Sequence, residues 1–430
     1  MYPLKPAKLY ADEKALTDPL CIRRMERLLS AMGCSRDQVV KIGDADLPET
    51  IRSNGLHSGH KRTYQLPEDH EPIVYFNALD LSDSDGKARS DAVLKQCPQG
   101  TAAALVRRLL GYDYIGHAAT MIRSRELICR RSYEFQTAYG CLHRCIYCEC
   151  AAEPVVMFAL NIEDMIKRKI APLLEANPWL KVFRYQTQVS DAPTFEPEYD
   201  AVRAFAEFFA TTPDRYLLLH TKSANTDWLA KVAHEGRTIV CWSLTSDTVS
   251  RDIEKRTGAT EERIEAARRC QEAGVPIRFK FKPIVPVKGW REEARRMIRL
   301  AFKRTQPDIV SLCVMMWMKA EEFEQIFDPA NFDEEFVRAM RQDATLLKER
   351  QCGPFPHRVR AEIYNFYIDE IRKVAPDVPI SLSTETSEMW ETLGEKLGFG
   401  PYNYVCGCGP QCTPGAKVLG KDAQPVEAAV

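Results

Sequence analysis

The sequence predicts an α/β fold: a partial (β/α)6 TIM-type barrel with an N-terminal α/β extension and a helical C-terminal region. Between Tyr133 and Met318, short apolar runs alternate with longer amphipathic ones, which indicates parallel strands joined by crossover helices. Six strand–helix units are too few for the complete eight-stranded barrel, so we expect a barrel that is open on one side. The length of 430 residues leaves room for further regions on both sides of it.

The elements of the barrel are assigned from their apolar patterns. The predicted strands are Tyr133–Tyr139, Val182–Gln188, Tyr216–His220, Thr238–Leu244, Pro276–Lys282 and Asp308–Met315. The predicted helices are Ile162–Ile170, Tyr199–Phe209, Thr226–Ala233, Glu261–Ala273 and Arg291–Arg304. This order of elements places the barrel within residues 131–318.

Two regions flank the predicted barrel. Residues 1–130 read as an N-terminal α/β region with an amphipathic helix around Ile22–Met32. Residues 319–430 read as a helical C-terminal region that has one further apolar run at Val378–Leu382 and a cysteine-rich tail. The small, polar residues at the end of this tail are expected to be disordered.

Composition and charge restrict the class of protein. With 45% hydrophobic and 28% charged residues, the chain resembles a soluble globular protein. Its 59 basic and 60 acidic residues nearly cancel, so the net charge does not indicate a nucleic-acid partner. A local basic face could still exist on a chain with this net charge. The first residues lack the apolar run of a signal peptide, and no stretch approaches the ~18 apolar residues of a membrane span. We therefore expect a cytoplasmic protein with no membrane partner.

Fifteen cysteines are many for a cytoplasmic chain. Because disulfides are disfavoured in a reducing compartment, clustered cysteines are best interpreted as metal ligands or redox groups. Seven of them fall into two clusters, within residues 141–150 and 406–412, and the other eight are scattered. Scattered cysteines are usually small core residues.

The first cluster has the spacing C-x3-C-x2-C at Cys141, Cys145 and Cys148, directly after the first predicted barrel strand. A [4Fe–4S] cluster needs thiolate ligands that are close in sequence, because one loop must surround it. Three ligands instead of four leave one iron open for a substrate or cofactor. Loops at the carboxyl ends of barrel strands build active sites, so the position of this loop suits a catalytic cluster.

Other interpretations of the first cluster remain open on the residues alone. His143 and Cys150 could complete a zinc site, although zinc ligands usually come as two pairs. A thioredoxin-like redox pair of Cys145 and Cys148 would leave Cys141 unexplained. Buried structural cysteines are the third alternative.

Together with Tyr147, the aromatic residue before the third cysteine, the loop resembles the signature of the radical S-adenosylmethionine (SAM) superfamily. In that superfamily the open iron binds SAM, and one electron from the cluster cleaves SAM to a 5′-deoxyadenosyl radical that abstracts hydrogen from a substrate. The resemblance implies SAM as a cofactor, with Tyr147 near its adenine. It also implies a one-electron reductant of the flavodoxin or ferredoxin type as a partner.

From its start to about residue 320, the sequence resembles the spore photoproduct lyase family, which repairs a thymine photoproduct in DNA. The segments that carry this resemblance are Lys5–Tyr10, Gly140–Cys145, Ser190-Asp191, Thr221-Lys222, Cys241–Leu244, Arg263–Ala267, Pro283-Ile284 and Gly289-Trp290. The resemblance implies a lyase-like enzyme whose partner is damaged DNA. It also implies that Lys222 and Ser243 bind SAM and that Ser190 lies beside SAM and the substrate; an ammonium and a hydroxyl suit the SAM carboxylate.

Three positions depart from the family pattern. Gln188 stands where the family has the cysteine that returns a hydrogen to the product radical. Glu149 replaces a tyrosine, and Lys282 replaces a small residue. These departures indicate a family member with a different substrate, so a radical SAM biosynthetic enzyme acting on a non-DNA substrate is an alternative. A non-catalytic iron–sulfur or zinc protein is the alternative from another class.

The second cluster comprises Cys406, Cys408 and Cys412, separated by glycines that let the backbone fold tightly around a ligand. These cysteines could bind an auxiliary iron–sulfur cluster, supply the hydrogen-donor thiol that the family pattern lacks, or be incidental residues of a flexible tail. Cys241 lies on a predicted strand, and its thiol is a candidate catalytic group if it faces the barrel interior; a packed core thiol is the alternative.

Charged residues outside the motifs have two interpretations. Arg291, Arg295, Arg296 and Arg299 could bind phosphates, but interleaved glutamates favour a salt-bridged helix face. Arginines at 123, 125, 130 and 131 allow either interpretation. Glu385 and Glu388 could lie near the barrel mouth, but surface exposure is the default expectation for both.

Overall fold

The computed structural model describes residues 1–58, 62–82, 84, 86–117, 127–129, 132–152, 155–186, 189–401 and 403–417. The chain divides into two compact units. The first comprises Met1–Gly116, Glu134–Pro178 and Tyr185–Thr212, and the second comprises His117–Tyr133, Trp179–Arg184 and Pro213–Val430. Among the described residues, no helix is both long enough and apolar enough to cross a membrane. The predicted boundaries near residues 130 and 318 stay a prediction.

The strands are short, and most contain β-branched or aromatic residues. In chain order they are β1 (Lys8–Asp12), β2 (Val39–Ile42), β3 (Ile73–Asn77), β4 (Ile115–His117), β5 (Leu127–Ile128), β6 (Tyr133–Phe135), β7 (Ala138–Tyr139), β8 (Arg144–Cys145), β9 (Val155–Ala159), β10 (Val182–Tyr185), β11 (Tyr216–Thr221), β12 (Thr238–Leu244), β13 (Glu254–Lys255), β14 (Ile277–Ile284), β15 (Val310–Val314), β16 (Ile380–Leu382) and β17 (Glu385–Thr386).

The helices separate or follow these strands. They are α1 (Pro19–Ala31), α2 (Leu47–Ser53), α3 (Lys87–Leu94), α4 (Ala103–Leu109), α5 (Ile162–Met165), α6 (Ala171–Ala176), α7 (Ala201–Ala210), α8 (Thr260–Glu272), α9 (Trp290–Arg304), α10 (Ala320–Ile326), α11 (Glu334–Gln342), α12 (Ala344–Lys348), α13 (His357–Val374) and α14 (Ser387–Leu397).

The first unit is built on a five-stranded sheet with the order β2-β1-β3-β9-β7. Its neighbours are parallel, except that β7 runs antiparallel to β9. All five residues of β9 are buried, because apolar side chains cover both faces of this inner strand. Helix α1 begins where the Asp18 carboxylate accepts the Leu20 N–H at 2.8 Å and Pro19 supplies a fixed φ.

The second unit contains a curled sheet in which the strands follow the order β16-β15-β14-β12-β11-β10. The neighbours from β11 to β16 pair in parallel. The predicted α/β fold with a partial TIM-type barrel is therefore confirmed.

Strand β14 shows how the sheet separates its two faces. Phe279 and Phe281 are fully buried, and the ring of Phe281 lies 5.5 Å from that of Tyr367 on α13. Each fully buried phenylalanine contributes about 1.5–3 kcal/mol to stability. Arg278 and Lys280, which alternate with these phenylalanines, point to the opposite face because side chains alternate along a strand. We call the helix-covered face the outer face and the opposite one the inner face.

Several predicted elements differ from the observed ones. The first predicted strand, Tyr133–Tyr139, is divided into β6 and β7, which belong to different sheets. The helix predicted at Thr226–Ala233 is wrong: only a 3-10 turn at Leu229–Lys231 forms. Its N–H groups bond to carbonyls three residues back, and so short a segment cannot hold a full helix without more packing.

Two apolar runs contribute more than their sequence indicated. Strand β9 was not anticipated, although its five residues are almost entirely apolar. The run at Val378–Leu382 forms β16, which pairs in parallel with β15 and so adds a strand to the predicted barrel. The other predicted barrel strands are observed with shifted ends, and Thr238–Leu244 matches β12 at both ends.

Glu385 was expected to be exposed, and that expectation is wrong. Its side chain is buried, where Arg360 donates to one carboxylate oxygen and the Tyr364 hydroxyl donates to the other at 2.8 Å. The Thr386 N–H also donates to this carboxylate at 2.8 Å. Such a set of donors compensates for removing the charge from water.

Arg360→Met is expected to destabilise the protein by about 3–5 kcal/mol, because it leaves the Glu385 carboxylate buried without its counter-charge. The double variant Arg360→Met/Glu385→Leu should recover most of this loss. Urea denaturation of the wild type and both variants measures the three free energies of unfolding. A double variant as unstable as the single one would contradict this interpretation.

Candidate functional site

The cysteine loop in the first unit begins at a glycine that its backbone requires. Gly140 follows β7 with φ at +85°, a conformation that side-chain-bearing residues rarely adopt. A Cβ atom there would lie 3.0 Å from Val156 Cγ2 and 3.2 Å from Val156 Cα, on the neighbouring strand β9. The loop can therefore leave the sheet at this point only because residue 140 has no side chain.

Main-chain hydrogen bonds from a distant segment hold the far end of the loop. The Thr63 N–H and hydroxyl both donate to the Cys148 carbonyl, at 3.0 and 2.8 Å. The Tyr64 N–H donates to the Ile146 carbonyl at 3.2 Å, and Arg62 Nη1 donates to the Tyr147 carbonyl at 2.8 Å. These bonds fix the backbone between the second and third cysteines.

A buried histidine links the loop to the predicted Ser190 site. His143 Nε2 lies 3.0 Å from Asp191 Oδ2, and both side chains are buried. The ring of Tyr2 meets the ring of His143 edge-on at 5.3 Å. Ser190 is buried next to Asp191, and its hydroxyl accepts a hydrogen bond from Gln186. The structure thus brings Ser190 and the cysteine loop together.

The three thiols of the loop influence one another electrostatically. Burial raises the pKa of the Cys141 thiol well above its ordinary value, and the charges of Asp191, Cys148 and Cys145 raise it further. Three thiolates in this place therefore need a compensating positive charge, which iron or zinc would supply. The Cys150 N–H lies 3.4 Å from Cys148 Sγ and points to it, a contact typical of iron-bound thiolates.

The donor set fits a metal centre, whereas its side chains are not yet arranged around one point. In the described part of the chain, no three His, Cys, Asp or Glu side chains form a group that could hold a metal ion as they stand. Binding would require rotation of the cysteine side chains within the fixed backbone. Tyr147, the predicted adenine neighbour, is buried beside the third cysteine.

In the second unit, Lys222 and Ser243 are connected through a buried ion network. Lys222 Nζ lies 2.9 Å from one carboxylate oxygen of Glu254, and Arg263 Nη2 lies 2.9 Å from the other. Arg263 Nη1 donates to the Ser243 carbonyl at 2.9 Å. Because Glu254 and Arg263 are fully buried, this network positions the Lys222 ammonium at the end of β11.

The second cysteine cluster is buried, so the interpretation of these cysteines as part of a flexible tail is wrong. Cys406, Cys408 and Cys412 are each at most 7% exposed, and the Cys406 N–H lies 3.3 Å from Cys412 Sγ. A hydrogen bond with Cys406 and burial raise the pKa of the Cys408 thiol to about 12. The Cys408 thiol is therefore protonated at neutral pH unless a metal binds it.

Residues 406–412 lie against the inner face of the sheet near the amino ends of its strands. Arg278 Nη2 donates to the Cys412 carbonyl at 2.5 Å, and the Gly407 N–H donates to Ser311 Oγ at 3.1 Å. The Pro410 carbonyl accepts the N–H groups of residues 181 and 182, at 2.8 and 2.9 Å. We call residues 406–412 the floor segment.

Cys241, the candidate catalytic thiol, adjoins this floor segment. It is fully buried on β12, and a Cβ atom on Gly407 would lie 3.5 Å from its Sγ. Burial raises the pKa of the Cys241 thiol to about 11. Its thiol therefore faces the inner side of the sheet as a neutral group.

Other predicted positions are placed less completely. Gln188 and the arginines at 123, 125, 130 and 131 lie outside the described residues. The arginines of α9 are engaged by acidic side chains: Arg291 with Glu362, Arg295 with Glu292 and Arg296 with Asp247. The salt-bridged interpretation of this helix face is therefore the correct one for these three residues.

Several residues of the site were not anticipated. Asp191 was noticed only as part of a Ser-Asp pair, and Glu254 and the segment Arg62–Tyr64 carried no signal that their neighbours in sequence could reveal. Their partners lie between 9 and 85 residues away along the chain.

The chain is similar in sequence to known proteins. A family model described as spore photoproduct lyase matches residues 129–315. Curated proteins named spore photoproduct lyase are similar: one from Clostridium acetobutylicum is 24% identical over 40% of this chain and 52% of its own, and one from Bacillus subtilis is 27% identical over 38% and 49%. The chain spans about half the length of the curated relatives it matches.

Solved structures are similar over more of the chain. A spore photoproduct lyase variant with bound AdoMet and dinucleoside spore photoproduct is 16% identical, with a TM-score of 0.58 over 88% of this chain and 98% of the other. A second variant with the dinucleoside photoproduct is 17% identical, with a TM-score of 0.57 over the same shares. At this identity the likeness shows a shared fold.

The partial barrel is the fold of these solved structures, and the three-cysteine loop lies within the residues that the family model matches. Over residues 129–315 the chain is therefore similar in sequence to spore photoproduct lyases.

Gly140→Ala is expected to lower the free energy of unfolding more than Gly33→Ala does. Both glycines have positive φ, at +85° and +68°, so both substitutions strain the backbone by about 1–2 kcal/mol. Only the Gly140 substitution also crowds Val156, whereas Gly33 has nothing within 4 Å of its Cβ position. This overpacking should add about 1–3 kcal/mol, measured by urea denaturation. Equal losses would contradict the packing argument.

Proposed function

We propose that the protein is a radical SAM enzyme of the lyase type, with a [4Fe–4S] cluster bound by Cys141, Cys145 and Cys148. The observation that carries this proposal is the fixed backbone of the cysteine loop. The charges of Cys145 and Cys148 raise the pKa of the Cys141 thiol, so three thiolates in this loop would need a compensating positive charge. When bound, the cluster and SAM supply one-electron cleavage of SAM and a carbon radical that abstracts hydrogen.

The residues of this chain would hold and orient that cofactor. In the first unit, His143 and Asp191 keep the cysteine loop against the segment that carries Ser190. In the second unit, Glu254 holds the Lys222 ammonium, which can donate to the carboxylate of SAM, as can the Ser243 hydroxyl. His143, Asp191 and Glu254 are buried, which would limit the access of bulk water to a reactive radical.

The names of the relatives indicate the first candidate substrate. The relatives are named spore photoproduct lyase, so damaged DNA containing a thymine photoproduct is the first candidate substrate, and DNA photoproduct repair is the corresponding function. Gln188 at the donor position and Lys282 inside the sheet support the alternative, a biosynthetic enzyme acting on a non-DNA substrate. The acidic partners of the α9 arginines also leave that helix with little charge for phosphate contacts.

Two further components complete the proposal. A one-electron reductant of the flavodoxin or ferredoxin type would supply the electron. An auxiliary iron–sulfur cluster at Cys406, Cys408 and Cys412 stays a prediction, supported by the burial and mutual hydrogen bonding of these thiols. Iron content distinguishes the alternatives, because a second cluster would bring the total to about eight irons per chain instead of about four.

Anaerobically reconstituted protein is expected to form 5′-deoxyadenosine from SAM in the presence of dithionite. Cys145→Ala should abolish this product, because the cluster loses one of its three thiolates. Cys34→Ala is the matched control, since Cys34 lies outside both cysteine clusters, and it should retain activity. Product and iron are measured together for all three proteins.

A fully iron-loaded wild-type protein that forms no 5′-deoxyadenosine, even with substrate present, would favour a non-catalytic iron–sulfur protein. Unchanged iron content in the triple variant Cys406→Ala/Cys408→Ala/Cys412→Ala would exclude the auxiliary cluster. A loss of about four irons in that variant would support it.

DNA as a substrate is tested by binding of UV-irradiated and untreated thymine-rich duplexes, followed by fluorescence anisotropy at several salt concentrations. A DNA repair enzyme should bind the irradiated duplex more tightly, with an affinity that falls as salt rises. Equal, weak binding of both duplexes would favour the non-DNA alternative.

A further inference from the structure

Strand β14 presents three cations in a row to the inner face of the sheet. Arg278, Lys280 and Lys282 alternate with Phe279 and Phe281, which are buried on the outer face. The inner face of a parallel barrel is usually filled with branched apolar side chains. A run of three cations there is therefore unusual and calls for a ligand or a counter-charge.

The first of these cations has its counter-charge. Arg278 Nε lies 3.0 Å from Asp308 Oδ1, and its Nη2 donates to the Cys412 carbonyl. This guanidinium is fully used in anchoring the floor segment. It therefore has a structural role that the two lysines do not share.

Among the described residues, Lys280 and Lys282 contact only neutral groups. Lys280 Nζ lies 3.3 Å from His220 Nε2, and Lys282 Nζ donates to Ser383 Oγ at 3.2 Å. The Lys282 ammonium also lies 5.0 Å from the centre of the Trp317 ring. In the part of the chain that the structure describes, neither ammonium forms an ion pair with a carboxylate.

Burial makes this arrangement unfavourable in the absence of an anion. Lys280 is only 5% exposed, and an ammonium removed from water requires a compensating negative charge. His220 does not provide one. Burial lowers its pKa well below the ordinary value, and the charges of Lys280, Arg184, Lys282 and Arg278 lower it further. The histidine is therefore neutral, and the inner face carries net positive charge.

Serine hydroxyl groups lie beside Lys280 on the neighbouring strands of the same face. Ser243 of β12 and Ser311 of β15 stand in register with Lys280, on either side of it. Ser381 of β16 is the register partner of Ser311, and their hydroxyl oxygens are 2.9 Å apart. Ammonium and hydroxyl donors together form the kind of environment that binds carboxylate or phosphate oxygens.

We infer that Lys280 and Lys282 bind an oxyanion, a carboxylate or phosphate group of the substrate, on the inner face of the sheet. In calling that ligand the substrate, the inference rests on the proposed function. Ser243 is shared with the proposed SAM site, so the oxyanion would bind beside the cofactor. The sites are otherwise distinct, because the SAM carboxylate is assigned to Lys222.

The experiment measures the thermal midpoint Tm of the reconstituted protein without reductant, and a separate sample that contains SAM alone serves as a control. Inorganic phosphate and acetate are compared with chloride at equal ionic strength. A ligand that binds only the folded state raises Tm. We expect phosphate or acetate to raise the Tm of the wild type, and the more effective anion identifies the group as a phosphate or a carboxylate.

Variants connect this shift to the two lysines. Lys280→Met and Lys282→Met should each raise the apparent Kd of the effective anion by about tenfold or more, because each variant removes one positive charge from the site. Lys282→Arg keeps the charge and should retain most of the shift. Lys303→Met, on the exposed surface of α9, is the matched control and should behave as the wild type.

Three results would overturn the inference. They are a wild-type Tm that responds no more to phosphate and acetate than to chloride, an equal response in both methionine variants, and a Lys280-dependent shift produced by SAM alone. The assay is independent of 5′-deoxyadenosine formation. Absence of an anion shift in a protein that cleaves SAM overturns only this inference, whereas an anion shift in a protein that cannot cleave SAM overturns only the proposed function.

Discussion

The alternation of side chains along β14 determines much of the second unit. Phe279 and Phe281 are buried on the outer face, where Phe281 packs against α13. This packing fixes the direction of the residues that alternate with them. Arg278 then faces inward, where it must be paired, and Asp308 and the carbonyls of the floor segment provide its partners. One period-two pattern thus fixes the sheet to its helices and the floor segment to the sheet. A shift of the pattern by one residue would reverse both faces.

Each unit contributes a different kind of order to the proposed chemistry. In the first unit, the cysteine loop is held through its main chain, so that the thiols stay available for a metal. In the second unit, side-chain charges are held instead: Glu254 and Arg263 fix Lys222, which is partly exposed. A metal site needs free ligand atoms on a rigid backbone, whereas an anion site needs charged atoms in a fixed position.

The sequence was informative wherever the determining contacts are short in range. The spacing of Cys141, Cys145 and Cys148 defines one loop, and the alternating strands and helices define the barrel, so both were predictable. Glu385 was misjudged because its partner Arg360 lies 25 residues away, and nothing local distinguishes a buried glutamate from an exposed one. The helix predicted at Thr226–Ala233 was wrong because local preference misled the prediction. Its residues favour a helix, but the segment is too short to complete one and forms only a 3-10 turn.

The floor segment has a consequence for the order of events during synthesis. Its residues follow the last residue of β15 by about ninety positions, so a growing chain already holds β10 to β15 before the floor segment leaves the ribosome. During that interval the guanidinium of Arg278 can pair with Asp308, but it lacks the carbonyl groups of Gly407 and Cys412 that accept its other hydrogen bonds. The barrel therefore passes through a stage that is open at the amino ends of its strands, and it closes there only when the floor segment arrives.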